Sequence, residues 1–231
     1  MKKIVVSTGA GISAESGIKT FRDADGLWEN YPVMEVASAD GFRSNPELVH
    51  RFYNERRKAL LKAEPNEAHR LLVELEQYYD VRIITQNVDD LHERAGSSKV
   101  LHLHGELMKI RSVNDPDYIE TLSADRLETS PQTRGANGDY MRPHIVFFQE
   151  AVPNITPAME LAEEADIFVV IGTSLAVYPA AGLINCVRRG TPIYYIDPRP
   201  ASIGHVAGVT IIEEKATVGM RKLVNILGVK C

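Results

Sequence analysis

Short apolar runs of strand length alternate along this chain with longer segments of helical period. The strand-like runs are Ile4–Ser7, Arg82–Thr85, Val100–Leu103, His144–Phe147, Ile167–Ile171, Ile193–Ile196 and Val209–Ile211. Several are unbroken apolar blocks, Ile167-Phe168-Val169-Val170-Ile171 above all. A strand with one wet face alternates apolar and polar residues. An unbroken block expects cover on both faces, as in a parallel sheet flanked by helices. Ser44-Asn45-Pro46-Glu47 supplies a cap, a first-turn proline and an early acid. It predicts a helix from Asn45 to Ala63 with Leu48, Phe52, Leu60 and Leu61 toward the core. Asn66-Glu67-Ala68-His69 opens another helix, and Pro157 to Ala165 reads as a third. Residues 114–140 mix Asp, Ser, Thr, Pro and Gly without period and read as an irregular excursion. The expected class is α/β: a doubly wound parallel sheet with a small inserted module.

Composition narrows the function classes. The 231 residues are 44% hydrophobic and 25% charged, with a net charge of -5, ordinary for one soluble domain with room for a small insertion. Arg56-Arg57-Lys58 is a helix-sized cluster rather than a basic tract, so no nucleic-acid partner is expected. No apolar run reaches membrane-spanning length, so no membrane partner is expected. The first strand-like run starts at Lys3-Ile4, and no signal or transit peptide is expected. Cys186 and Cys231 are too few and too far apart for a disulfide framework or a four-cysteine zinc site. The expected compartment is the reducing cytoplasm.

Candidate chemistry gathers where strands end, which is where open α/β sheets bind ligands. Val81–Ile84 empties into Thr85-Gln86-Asn87-Val88-Asp89-Asp90-Leu91-His92, and the next strand into His102-Leu103-His104-Gly105. An amide pair, a carboxylate and a histidine can grip a polar ligand and move a proton near neutrality. Ile4–Ser7 leads into Gly9-Ala10-Gly11-Ile12-Ser13-Ala14, a glycine turn expected to open a helix, with Ala14 at the packing position. Alone, that pattern reads equally as a phosphate loop or as simple chain reversal. The second-strand acid of dehydrogenases has no counterpart, because Thr20–Trp28 reads as a loop; hydride transfer is disfavoured. Ile171-Gly172-Thr173-Ser174 and Tyr195-Ile196-Asp197 end two further strands in groups suited to phosphate and ribose.

Taken in order, Gly9–Ser13 through Gly17-Ile18, Thr20-Phe21-Arg22, Gln86-Asn87-Val88-Asp89, His104-Gly105 and Gly172-Thr173-Ser174 closely resemble the sirtuins, NAD-dependent protein-lysine deacylases. The resemblance implies a Rossmann-like large domain, at about 1–20, 80–105 and 143–231, and a small domain at about 21–79 and 106–142. Acyl-lysine proteins or peptides would enter between them. By the same resemblance, NAD would be bound by Gly9, Ala10, Gly11, Ser13, Ala14, Phe21, Arg22, Trp28, Gln86, Asn87, Val88 and Asp89. Gly172, Thr173, Ser174, Asp197, Pro198, Arg199 and Ala216 would hold its phosphate and adenosine half. His104 would be the general base, with Asn87 beside it, and His102 would only pack. The products would be free lysine, nicotinamide and O-acyl-ADP-ribose. A protein ADP-ribosyltransferase and a non-catalytic NAD-sensing module are the rival readings.

Two departures from the family pattern matter. Sirtuins usually carry two cysteine pairs after the His-Gly that hold a structural zinc. Here Gly105 to Tyr140 contains no cysteine, so zinc is expected to be absent and the small domain to be held by packing alone. Tyr53 and Arg56 match the Tyr-x-x-Arg pair of sirtuins that prefer succinyl- and malonyl-lysine. Three residues apart on a helix, they are expected to clamp an acyl carboxylate from one face. Met141–Glu150 resembles the segment that pairs with substrate, making Val146 and Phe148 expected channel walls. Gln149 stands where the family commonly has glycine, and its side chain either narrows the channel or points outward.

Overall fold

The structure, a computed structural model, describes residues 1–19, 27–28, 31–203 and 206–229. In chain order its elements are β1 (Lys3–Thr8), β2 (Leu27–Trp28), β3 (Tyr31–Pro32), α1 (Val33–Val36), α2 (Ala39–Ser44), α3 (Pro46–Leu60), α4 (Glu67–Leu75), β4 (Asp80–Thr85), α5 (Leu91–Ala95), β5 (Val100–His102), β6 (Gly105–Ser112), β7 (Ile119–Thr121), β8 (Met141–Ile145), α6 (Ile155–Glu163), β9 (Ile167–Ile171), β10 (Ile193–Ile196), β11 (Val209–Ile212) and α7 (Ala216–Ile226). Six strands form one sheet in the order β11-β10-β9-β1-β4-β5, and every pairing in it is parallel.

The apolar blocks are explained by burial on both faces. In β1, Ile4 and Val6 join the core beneath α4 and α7, while Val5 joins the core beneath α6. In β9, Ile167, Val169 and Ile171 take the first side and Phe168 and Val170 the second. This period-two division is what a covered parallel sheet requires. Leu71, Leu72 and Leu75 of α4 pack in the first core, so this helix belongs with the large sheet although it falls inside the expected insertion 21–79.

The expected strand His144–Phe147 is not part of that sheet. It is observed as β8, paired antiparallel with β6 in a separate three-stranded sheet, β7-β6-β8. The chain enters this sheet through Gly105, whose φ is +84° and where a Cβ would lie 2.0 Å from the His144 carbonyl oxygen. Only glycine fits both constraints. A third core of Val49, Phe52, Tyr53, Leu107, Ile145 and Phe147 joins α3 to β6 and β8.

Packing alone does not hold this module. Arg57 is fully buried on α3; its Nε donates to the Leu107 carbonyl (2.8 Å) and its Nη1 to Asn54 Oδ1 (2.8 Å), Thr129 Oγ1 (3.1 Å) and the Leu127 carbonyl (3.3 Å). Glu150 receives Arg142 (2.6 Å), Arg111 (3.1 Å) and the Phe147 N–H (2.9 Å). The irregular excursion is thus pinned by buried polar bonds. Among the described residues, no helix is long and apolar enough to cross a membrane.

Candidate active site

Chain order in the large sheet reverses between β1 and β9: from β1 the chain builds outward through β4 and β5, then returns to β9 on the other side. Ligand crevices form beyond the carboxyl ends at such a point. A cleft of about 630 Å³ lies there. It falls within the roughly 300–1,000 Å³ typical of small-ligand sites.

The first loop differs from expectation. After Thr8 the chain makes two three-residue 3-10 turns, Ala10–Ile12 and Ala14–Ser16, and no α-helix among the described residues 9–19. The expected helix dipole is therefore absent from this loop. Its glycines serve a different close approach: a Cβ on Gly11 would sit 2.5 Å from Gly172 Cα, and one on Gly9 would sit 2.7 Å from Thr173 Cβ. The two strand ends cross so tightly that neither position has room for a side chain. Gly9, Ala10, Gly11 and Ala14 line the cleft on one side of this crossing and Gly172, Thr173 and Ser174 on the other.

The β4 edge supplies Gln86, Asn87, Val88 and Asp89, all lining the cleft. Ser13 does not line it; it is fully buried beneath, donating from Oγ to Asp89 Oδ2 (3.0 Å) and accepting from Asn87 Nδ2 (3.1 Å). One hydroxyl thus sets both the amide and the carboxylate. Burial pushes the Asp89 carboxyl up to about 6, against the Leu91 N–H and Ser13 bonds that favour its charged form. Gln86 Nε2 donates to Thr173 Oγ1 (3.2 Å), bridging the two edges.

His104 lies where the chain leaves β5, and it lines the cleft. Its Nδ1 is 3.0 Å from the Gln86 carbonyl oxygen. A carbonyl only accepts, so Nδ1 carries the proton and Nε2 keeps its lone pair. Burial lowers its pKa, partly countered by the Gln86 bond, so the ring is neutral at pH 7 and ready to accept a proton. His102 differs, and it does more than pack. Its Nδ1 faces the Asn87 carbonyl (3.1 Å) and its Nε2 faces Glu93 Oε1 (2.9 Å), so both nitrogens meet acceptors. Burial alone would lower its pKa, but the Glu93 carboxylate outweighs it and the net shift is upward. Of the two histidines, His104 is the one that lines the cleft.

The far end of the cleft is lined by Asp197, Pro198 and Arg199 after β10 and by Lys215 and Ala216 at the start of α7. Asp197 is buried and its Oδ1 accepts from the Arg199 N–H (2.8 Å). On the side of the small module the wall is Trp28, Tyr53, Val146 and Phe148. Of the expected Tyr53–Arg56 pair, Tyr53 is in the wall, its hydroxyl buried and without a hydrogen-bond partner among the described residues; Arg56 is not among the lining residues, and its guanidinium lies 5.1 Å from the Phe52 ring centroid. Phe21 and Arg22 lie outside the described residues. Sequence reasoning did not single out Glu15, Lys19, Val152, Tyr178 or Lys215, which also line the cleft. Lys215 follows β11, so the strand-end rule could have found it, and Glu15 lies within the glycine-turn motif that ends at Gly17-Ile18; Lys19, Val152 and Tyr178 come from loops with no pattern of their own.

The donor set fits a dinucleotide: carboxylates at Asp89 and Asp197 for sugar hydroxyls, hydroxyls at Thr173 and Ser174, and amides at Gln86 and Asn87. Residues 105–140 hold no cysteine, and among the described residues no group of three or more His, Cys, Asp or Glu is placed to bind a metal.

Known proteins agree with this geometry. A deacylase of Bacteroides thetaiotaomicron, described as an NAD-dependent protein deacylase, is 51% identical over 98% of both chains. One of Helicobacter pylori (strain ATCC 700392 / 26695), described in the same words, is 51% identical over 96% of both. Among solved structures, a Sir2 homologue mutant bound to ADP-ribose superposes with a TM-score of 0.88 at 38% identity, covering 100% of this chain and 95% of that one. A Sir2 homologue–NAD complex gives 0.86 at 39% identity, covering 98% and 90%. The Sir2 family profile matches residues 9–179. With its cleft at the sheet's switch point and that match across most of its length, this chain belongs to the Sir2 family.

Proposed function

We propose that this protein is an NAD-dependent protein-lysine deacylase acting on acylated-lysine proteins or peptides, with succinyl- and malonyl-lysine preferred and acetyl-lysine a lesser substrate. The observation that carries the reading is His104, a neutral imidazole at the cleft whose Nδ1–H is spent on the Gln86 carbonyl. NAD, when bound, would supply an electrophilic ribose carbon whose bond to nicotinamide can be broken by an acyl oxygen. Asn87 and Asp89, locked by Ser13, would orient the sugar and the carboxamide. His104 Nε2 would take a proton from a ribose hydroxyl, and the buried surroundings limit competing protonation from water. Val146 and Phe148 would flank the acyl-lysine.

The acyl preference is supported by Tyr53. A buried hydroxyl without a partner is costly, and an acyl carboxylate would accept its hydrogen bond. Arg56 would have to turn from Phe52 to share that carboxylate. We also read the chain as free of structural zinc and as a resident of a reducing cytoplasm, the latter from its two scattered cysteines.

The test is an acyl-peptide panel with NAD, read by mass spectrometry. Succinyl-lysine peptide should yield free lysine, nicotinamide and O-succinyl-ADP-ribose, and His104→Ala should abolish this with the fold intact. ADP-ribose attached to protein would instead mark a transferase. Arg56→Met should cost succinyl turnover at least about tenfold more than acetyl turnover, the worth of one charge-assisted bond; equal losses would discredit the clamp. Elemental analysis should find substoichiometric zinc.

A further inference from the structure

Gln149 directly follows the cleft wall Val146–Phe148 and sits in the left-handed region at φ +76°, which L side chains rarely adopt. What holds a glutamine in it is a set of bonds to the corner between α1 and α2. The Phe148 N–H donates to the Ala37 carbonyl (2.8 Å), and the Ala39 N–H donates to the Phe148 carbonyl (3.1 Å). The Asp40 N–H donates to Gln149 Oε1 (3.1 Å), and Gln149 Nε2 donates to Asp40 Oδ2 (2.6 Å). Asp40 is further held by Arg43. The glutamine amide is therefore spent on Asp40, at the rim of the cleft that Gln149 also lines. On the other side, Glu150 is anchored by Arg142, Arg111 and the Phe147 N–H. Gln149 is the link between two anchors.

We propose that Gln149 and Asp40 form a latch that fixes the Val146–Gln149 edge in the conformation that pairs with the substrate peptide. The inference deepens the deacylase reading and rests on it. Both are positioning residues: neither moves a proton, and their effect is to remove ordering cost from peptide binding. An edge held in place before the peptide arrives loses less freedom when a strand is added to it. Without the latch, residue 149 is free to leave the left-handed region, carrying the Phe148 wall with it.

The experiment compares wild type, Asp40→Ala, Gln149→Gly and Asp40→Asn, the last keeping an acceptor for the Gln149 amide. Steady-state kinetics use a succinyl-lysine peptide and NAD, with hydrogen exchange at the Phe148 and Asp40 amides read in parallel. Asp40→Ala and Gln149→Gly should raise KM for the peptide about three- to tenfold, the range expected for one hydrogen bond of this kind. Values of kcat and of KM for NAD should stay within about twofold, on the same scale, and Asp40→Asn should restore most of the peptide KM. Both amides should exchange faster in the two disruptive variants. Unchanged exchange overturns the latch itself. Faster exchange with unchanged peptide KM, or a loss confined to Tm, overturns its role in substrate binding. Wild type that releases no nicotinamide with any acyl peptide removes the deacylase reading and this role with it, while exchange still reports whether the latch exists.

Discussion

Arg57→Met tests how far buried polar bonds hold the small module together. Arg57 is fully buried, and burial draws its pKa down by about two and a half units, to about 10. At about 1.4 kcal/mol per unit, that is about 3 kcal/mol of desolvation which methionine would not carry. Against it stand three short bonds, to Leu107, Asn54 and Thr129. Hydrogen bonds from a charged group contribute about 1.5–3 kcal/mol each, so roughly 4.5–9 kcal/mol is lost with the guanidinium. The balance favours arginine by about 1.5–6 kcal/mol. At about 2–4 °C per kcal/mol for a chain of this size, the variant should melt about 3–24 °C lower. Thermal unfolding checks the value. Limited proteolysis checks the place, since new cleavage should concentrate in residues 113–140, whose anchors at Leu127 and Thr129 are cut. A Tm within about 2 °C of wild type, with unchanged cleavage, would refute the reasoning.

Other expectations follow from the same geometry. Ser13→Ala removes the bond that favours charged Asp89 and frees the Asn87 amide; the carboxyl should move further above about 6, and kcat/KM for NAD should fall about 10- to 100-fold with the acidic limb of the pH–rate profile shifted upward. Gly11→Ala forces a Cβ to 2.5 Å from Gly172 Cα, and overpacking of this kind costs about 1–3 kcal/mol, to be read as a lower Tm and weaker NAD binding by calorimetry. His50 and His69 have folded pKa values of about 4, lowered from 6.5 chiefly by burial. The folded state then binds fewer protons than the unfolded one between those values, so each contributes about 3 kcal/mol above pH 6.5 that is lost as pH falls through about 4. Asp89, raised from 3.8 to about 6, works in the opposite sense. With His50, His69, His92 and His144 all lowered against Asp89 raised, Tm should fall from pH 6.5 to 4, and His69→Gln should flatten the fall; a Tm that rises over this range would contradict the assignment.

Much was legible in the chain itself because it is local. Ile167–Ile171 announces a doubly covered strand from five consecutive apolar residues, and its two faces do enter separate cores. Asn45-Pro46-Glu47 announces the start of α3, where the Asn45 side chain accepts from the Leu48 N–H. Strand ends carrying Gln86–Asp89, His104 and Gly172–Ser174 announce a ligand edge, and all of them line the cleft. Tertiary structure decided which way each group faces and what it meets. Ser13 turned out to lie beneath the site, Arg56 to rest on Phe52, and Arg57, its neighbour in sequence, to be the buried anchor. The partners of these groups lie far along the chain: Ser13 and Asp89 are 76 residues apart, Arg57 and Thr129 are 72, and Asp40 and Gln149 are 109. Periodicity reports how a residue is buried by its own strand or helix. It carries nothing about which distant loop arrives to complete a hydrogen bond, and that is settled only when the sheets and helices pack.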